Sequence, residues 1–151
     1  MPENNWLKPL KIFLGLAGSI YGLGYLDVTL RARAAYLQGE KYWHWHNHAE
    51  EKRSYYEAQF EKDEKKLEAK LAKGELDQEE FQDEVQILRV RKEYALQESN
   101  LKYAHAWYQT AAQILTPPES KWVKLAREKM VQSKALWEEE LASQGISAPN
   151  F

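Results

Sequence analysis

The hydrophobic pattern changes character along this chain, and the changes predict its elements. From Ile12 to Leu26 the run IFLGLAGSIYGLGYL carries no charge, while Lys8 and Lys11 precede it and Asp27, Arg31 and Arg33 follow. Fifteen uncharged residues fall short of the ~20 that a spanning helix needs. Trp6, Leu7, Pro9 and Leu10 on one side and Val28 and Leu30 on the other bring the run within range, provided that Lys11 snorkels to the headgroups. Trp6, Tyr21 and Tyr25 suit an interfacial belt. The pattern predicts a single transmembrane anchor within residues 1–30. Gly18 and Gly22 form a small-xxx-small pair through which a second membrane helix could approach closely. Basic residues flank the run almost equally, with Lys8 and Lys11 before and Arg31, Arg33 and Lys41 after, so the side occupied by the rest of the chain stays open. Two other readings use the same residues. A cleaved signal peptide would rely on Ala32-Arg33-Ala34, which is charged and distant from the apolar run. A buried helix of a soluble bundle would lose about 1 kcal/mol of helix propensity at each of Gly15, Gly18, Gly22 and Gly24.

Beyond Asp27 the period becomes helical and amphipathic. No proline occurs from Asp27 to Lys73 and only Gly39 offers a break, which predicts a long helix with Ala49, Tyr56, Phe60, Leu67 and Leu71 on its apolar face. Gly74 reads as its C-cap, and Asp77 with Glu80 as a capping box opening the next helix. That helix is expected to run from about Gln78 to Leu115. Ile87, Tyr94, Leu101, Tyr108 and Leu115 recur there every seven residues, with Val90, Ala104 and Ala111 beside them. Residues 31–116 thus predict an antiparallel, coiled-coil-like hairpin turning at 73–77, with arms roughly 45–55 Å long at 1.5 Å per residue. Thr116-Pro117-Pro118 stops it. A third, amphipathic helix should start at Pro118 or Glu119 within residues 117–151, with Trp122, Ala126, Met130, Trp137 and Leu141 on one stripe. The expected class is all-α.

Within the hairpin, KKLEAKLAKGELDQEEFQDEVQIL, Lys65 to Leu88, resembles the short helical-hairpin motif called SHOCT: leucines before a glycine turn, then an acidic EEF opening the second helix. Leu76-Asp77 replaces the usual isoleucine-threonine after the turn, and the arms here extend well past the motif. The resemblance implies self-association or assembly, not catalysis.

Composition narrows the chemistry. With 21 basic and 23 acidic residues the 151-residue chain has no global field to attract nucleic acid, and its basic residues on the third helix are interleaved with acids. The absence of cysteine removes disulfides, thiolate metal sites, iron–sulfur clusters and cysteine nucleophiles. There is no His-Glu-x-x-His, phosphate-binding glycine loop or Gly-x-Ser-x-Gly elbow, so no enzyme class is indicated.

The remaining candidate is GEKYWHWHNHAEEKRSYYE, Gly39 to Glu57. On a helix, His44 and His48 share a face with Glu40 one turn before and Glu51 one turn after, a donor set suited to zinc, copper or nickel. His46 points elsewhere. If the hairpin turns near Glu75, His46 falls opposite His105, a pair that could ligate a transition metal or haem between helices. Tyr42, Trp43, Trp45, Tyr103, Trp107 and Tyr108 gather in the same zone, and with Trp122, Trp137, Gly18 and Gly22 they are the candidate contact residues. The leading expectation is a non-catalytic accessory or scaffolding subunit of a membrane complex, single-pass and without cofactor, contacting lipid and other subunits or itself. A membrane-attached histidine metal or haem protein is the alternative, and a soluble helical-bundle adaptor the third reading.

Overall fold

In the computed structural model residues 7–146 are described, with side chains from residue 9; their regular structure is all helical, with no strand among them. The helices are α1 (Leu7–Asn47), α2 (Ala49–Ala72), α3 (Gln78–Gln97), α4 (Asn100–Gln109), which passes into a π-helical turn (Thr110–Ile114), and α5 (Lys121–Ser143). Trp6 lies outside the described residues. The described chain groups into two units, residues 7–40 with 102–146, and residues 41–101. In the first unit α5 returns to pack with α1 and α4.

α1 is long and apolar enough to cross a membrane, and none of its most apolar window is buried. Ile12, Phe13, Leu14, Leu16, Ile20 and Leu23 are all more than half exposed. The bundle reading expects this run to be the central buried helix; in the single chain it is exposed. Gly15, Gly18, Gly22 and Gly24 have nothing within 4 Å of where a Cβ would stand. Among the described residues, the buried positions of α4 and α5 pack with the second half of α1 and leave this stretch uncovered.

That half packs through small residues. Ala32 and Ala35 on α1, Ala104 and Tyr108 on α4, Ala111 and Ala112 in the π turn, and Val123, Ala126 and Ser133 on α5 are buried. Gly39 is the closest approach: a Cβ there would stand 2.5 Å from Tyr108 Cε1. Tyr36 bridges the three helices, its ring centroid 5.9 Å from Tyr108 and 5.6 Å from Trp122. Ser120, not Pro118 or Glu119, caps α5; its hydroxyl accepts from Val123 N at 3.3 Å and so sets the start at Lys121.

In the second unit α2 and α3 are in contact. Between them lies a glycine-centred turn of the Schellman type: Gly74 has φ of 71°, its N–H donates to Leu71 O at 2.9 Å, and Glu75 N–H donates to Lys70 O at 3.0 Å. The Asp77/Glu80 capping box is complete, with bonds of 2.8 and 2.9 Å. The partly buried faces are Tyr56, Phe60, Asp63, Leu67 and Leu71 on α2 and Phe81, Val85, Leu88, Lys92 and Ala95 on α3.

Both long helices expected from the pattern are interrupted. The first breaks at His48, which has φ of −136° and ψ of 68°. The second breaks at Glu98 and Ser99, before α4 starts at Asn100. Because two non-helical residues shift the phase, one heptad frame does not serve both pieces. Leu101, Ala104, Tyr108 and Ala111 are buried as expected, while Ile87, Val90 and Tyr94 are 43, 54 and 63% exposed. Lys52 holds the second break: buried to 5% exposure, its Nζ donates to Leu96 O at 3.2 Å and Glu98 O at 2.8 Å, carbonyls left open at the end of α3.

Candidate functional site

The break at His48 determines what the histidine-rich stretch becomes. In an unbroken helix His44 and Glu51 would be separated by a rise of about 10.5 Å, near the limit of two side chains. With the chain bent at His48, His44 Nε2 and Glu51 Oε2 approach to 2.9 Å. The His44 and His48 rings stack, with centroids 4.3 Å apart and an 18° angle between planes. One donor atom from each of His44, His48 and Glu51 lies within 4.8 Å of the others. His44 and Glu51 are half exposed, whereas His48 Nδ1 is buried and has no hydrogen-bond partner. Leaving such an atom unpaired costs of order 1–3 kcal/mol.

The other expected ligands go elsewhere. Glu40 accepts the Tyr108 hydroxyl at 2.7 Å in the first unit, so it does not join this cluster. His46 is exposed on another face of α1. His105 is 7% exposed, its Nδ1 donates to Met130 O at 3.1 Å, and its ring lies 5.9 Å from that of Trp137. Burial lowers the His105 imidazole below its ordinary value, against the opposing pull of the Met130 carbonyl. His105 thus sits as a packed residue of the first unit, with its Nδ1 proton committed to Met130 O.

The contact residues also divide. Trp45, Tyr108 and Trp137 are 5, 0 and 9% exposed; they belong to the cores of their units, not to a free surface. Trp45 is the centre of an aromatic group, 5.4 Å from Tyr42, 5.1 Å from Tyr55 and 5.8 Å from Tyr56, and the Lys41 ammonium sits 4.4 Å from its ring. Burial and the Glu40 carboxylate push the Tyr108 hydroxyl far above its ordinary value, so it stays protonated as a donor. Trp122 is half-buried between Tyr36 and the cations of Arg33 and Lys121. Trp43, Tyr42 and Tyr103 are partly covered, whereas Gly18 and Trp107 are exposed; Gly22 is intermediate and open above its Cα.

Sequence reasoning missed Lys52, and it missed the bend. The available signals were the acidic pair Glu50-Glu51 after Asn47-His48, which marks a helix start, and Ser99-Asn100, two N-cap formers in succession. No family model matches the chain, and no curated protein or solved structure matches it either.

Proposed function

We propose that this chain is a non-enzymatic accessory or scaffolding protein, held to a membrane by the first part of α1 and working through helix–helix contacts. The observation that carries the reading is the exposure of the apolar run from Ile12 to Leu26, where no residue is buried. An apolar helix that long finds its stabilisation in lipid or in a partner. Its far end supports the same placement. Tyr21, Gly24, Tyr25 and Val28 line an apolar cleft of about 250 Å³ with Pro117 and Pro118, so rings and prolines gather where the charged residues begin.

The remaining surface supports assembly. Gly18 and Gly22 leave the α1 backbone open to a neighbouring membrane helix. The α2–α3 pair, read as a coiled-coil-like hairpin, presents Ile87, Val90 and Tyr94 as an outward apolar row, and the SHOCT-like resemblance of Lys65 to Leu88 points to association. Partners are other membrane subunits or a second copy of the chain, with lipid around α1 and no nucleic acid.

Alkaline carbonate extraction tests the anchor: the protein is expected in the membrane pellet, and recovery in the supernatant overturns the reading. Photocrosslinkers at Ile87, Val90 and Trp107 test the contacts. Capture of a second chain at any of them is the expected result; no capture at all three removes the scaffolding role.

A further inference from the structure

We propose that His44, His48 and Glu51 form a binding site for a single divalent transition-metal ion, zinc being the reference case. The proposal rests on the second unit alone and is independent of the membrane anchor.

Three observations converge on it. The donor atoms are two imidazole nitrogens and a carboxylate oxygen, the mixed set that borderline ions such as zinc, nickel and copper prefer. They already lie within 4.8 Å of one another, whereas tetrahedral zinc with ligands at ~2.0–2.1 Å needs its donors about 3.3 Å apart. Rotation of exposed side chains covers that difference, since both His44 and Glu51 are half exposed. The third observation is His48 Nδ1, buried beside a stacked second imidazole and lacking any hydrogen-bond partner. Buried polar atoms are ordinarily paired, and an orphaned nitrogen within a His–His–Glu cluster points to a missing electrophile.

The alternative role for these residues is a histidine–glutamate ion pair that steadies the bend. That role needs His44 and Glu51 only, and leaves both the His48 nitrogen and the stacking of two basic rings unexplained. A cation accepts electron density from both rings and from the carboxylate at once. It would also link the last turn of α1 to the first turn of α2 across the residue where the helix breaks, fixing the bend that assembles the site. Three protein ligands leave at least one position for water.

The test uses the full chain, purified in mild detergent without an affinity tag and stripped with chelator. Zinc titration by calorimetry is expected to give one site per chain. His44→Ala, His48→Ala and Glu51→Gln should each weaken it at least ~10-fold, while His46→Ala leaves it unchanged. Absence of saturable binding, or an equal loss in His46→Ala, overturns the assignment. Histidine ring NMR of the unaltered protein keeps the proposal open to refutation if a variant loses helicity. Zinc should move the His44 and His48 resonances but not those of His46 and His105; movement of all four alike means adventitious binding only, and the site is then rejected.

Discussion

Replacing Gly39 with alanine sets two opposed terms against each other at one atom. Alanine is the better helix former by about 1 kcal/mol, so on local grounds Gly39→Ala stabilises α1. The new methyl, however, would stand 2.5 Å from Tyr108 Cε1, 2.6 Å from Cδ1 and 3.0 Å from Cζ. Carbon atoms make good contacts at about 3.5–4.0 Å, so the overlap approaches 1 Å against two ring atoms. The ring has little room to yield: Tyr108 is fully buried, its hydroxyl is held by Glu40 at 2.7 Å, and Tyr36 packs beside it. Overpacking of this kind costs typically ~1–3 kcal/mol, and the confinement of the ring argues for the upper part of that range. The expected net loss is about 1–2 kcal/mol, a fall in melting temperature of roughly 3–8 °C. Near-UV circular dichroism in detergent, which reports the packed aromatic rings, follows the transition. The double variant Gly39→Ala/Tyr108→Leu closes the cycle: with the ring gone, the alanine should become neutral or favourable, giving a coupling of at least ~1 kcal/mol. If Gly39→Ala alone raises stability by its full propensity gain, the close approach of α1 to α4 described above is wrong.

Three further outcomes are expected. Because burial lowers the His105 imidazole, the unfolded chain takes up a proton that the folded chain resists; stability is whole above about pH 6.5 and is lost as pH falls through the lowered value. His105→Gln, which keeps a donor for Met130 O, should flatten the stability–pH slope below pH ~6.5, and an unchanged slope in urea titrations refutes the assignment. Lys52→Met retains the side-chain stem but strips Leu96 O and Glu98 O of a donor, at a cost of about 1–3 kcal/mol. Amide hydrogen exchange should accelerate around residues 98–101 and stay unchanged near Gly74; uniform acceleration would contradict a local clasp. Leu16→Arg adds about 3–4 kcal/mol to membrane insertion at a side chain that is 59% exposed. Carbonate-resistant protein should drop with helicity preserved, and equal retention would remove the anchor.

Much of the fold is legible from local chemistry. The Gly74 turn and the Asp77/Glu80 box are written into adjacent residues, because a positive φ and a side-chain cap depend on little beyond their neighbours. The buried face of α4 and the partly buried Tyr56, Phe60, Leu67 and Leu71 of α2 follow from helical spacing, though Ala49, expected on the same face, is exposed. The α3 face does not. Ile87, Val90 and Tyr94 match the heptad of Leu101 and Tyr108 in sequence, but the break at Glu98 and Ser99 puts the two series in different phases. Of the candidate ligands, His44, His48 and Glu51 converge in the second unit while Glu40 and His105 bond within the first, and spacing alone could not separate them.

By itself, then, the sequence determined an all-helical chain, an N-terminal helix with a long uncharged stretch and a capped turn, since periodicity, charge and capping act over a few residues. Only the tertiary structure decided which of the possible cap signals break a helix, which aromatic rings are core and which histidine meets a carboxylate. Those outcomes depend on which distant carbonyls Lys52 and His105 reach and on how closely Gly39 lets Tyr108 approach, and no local pattern carries that information.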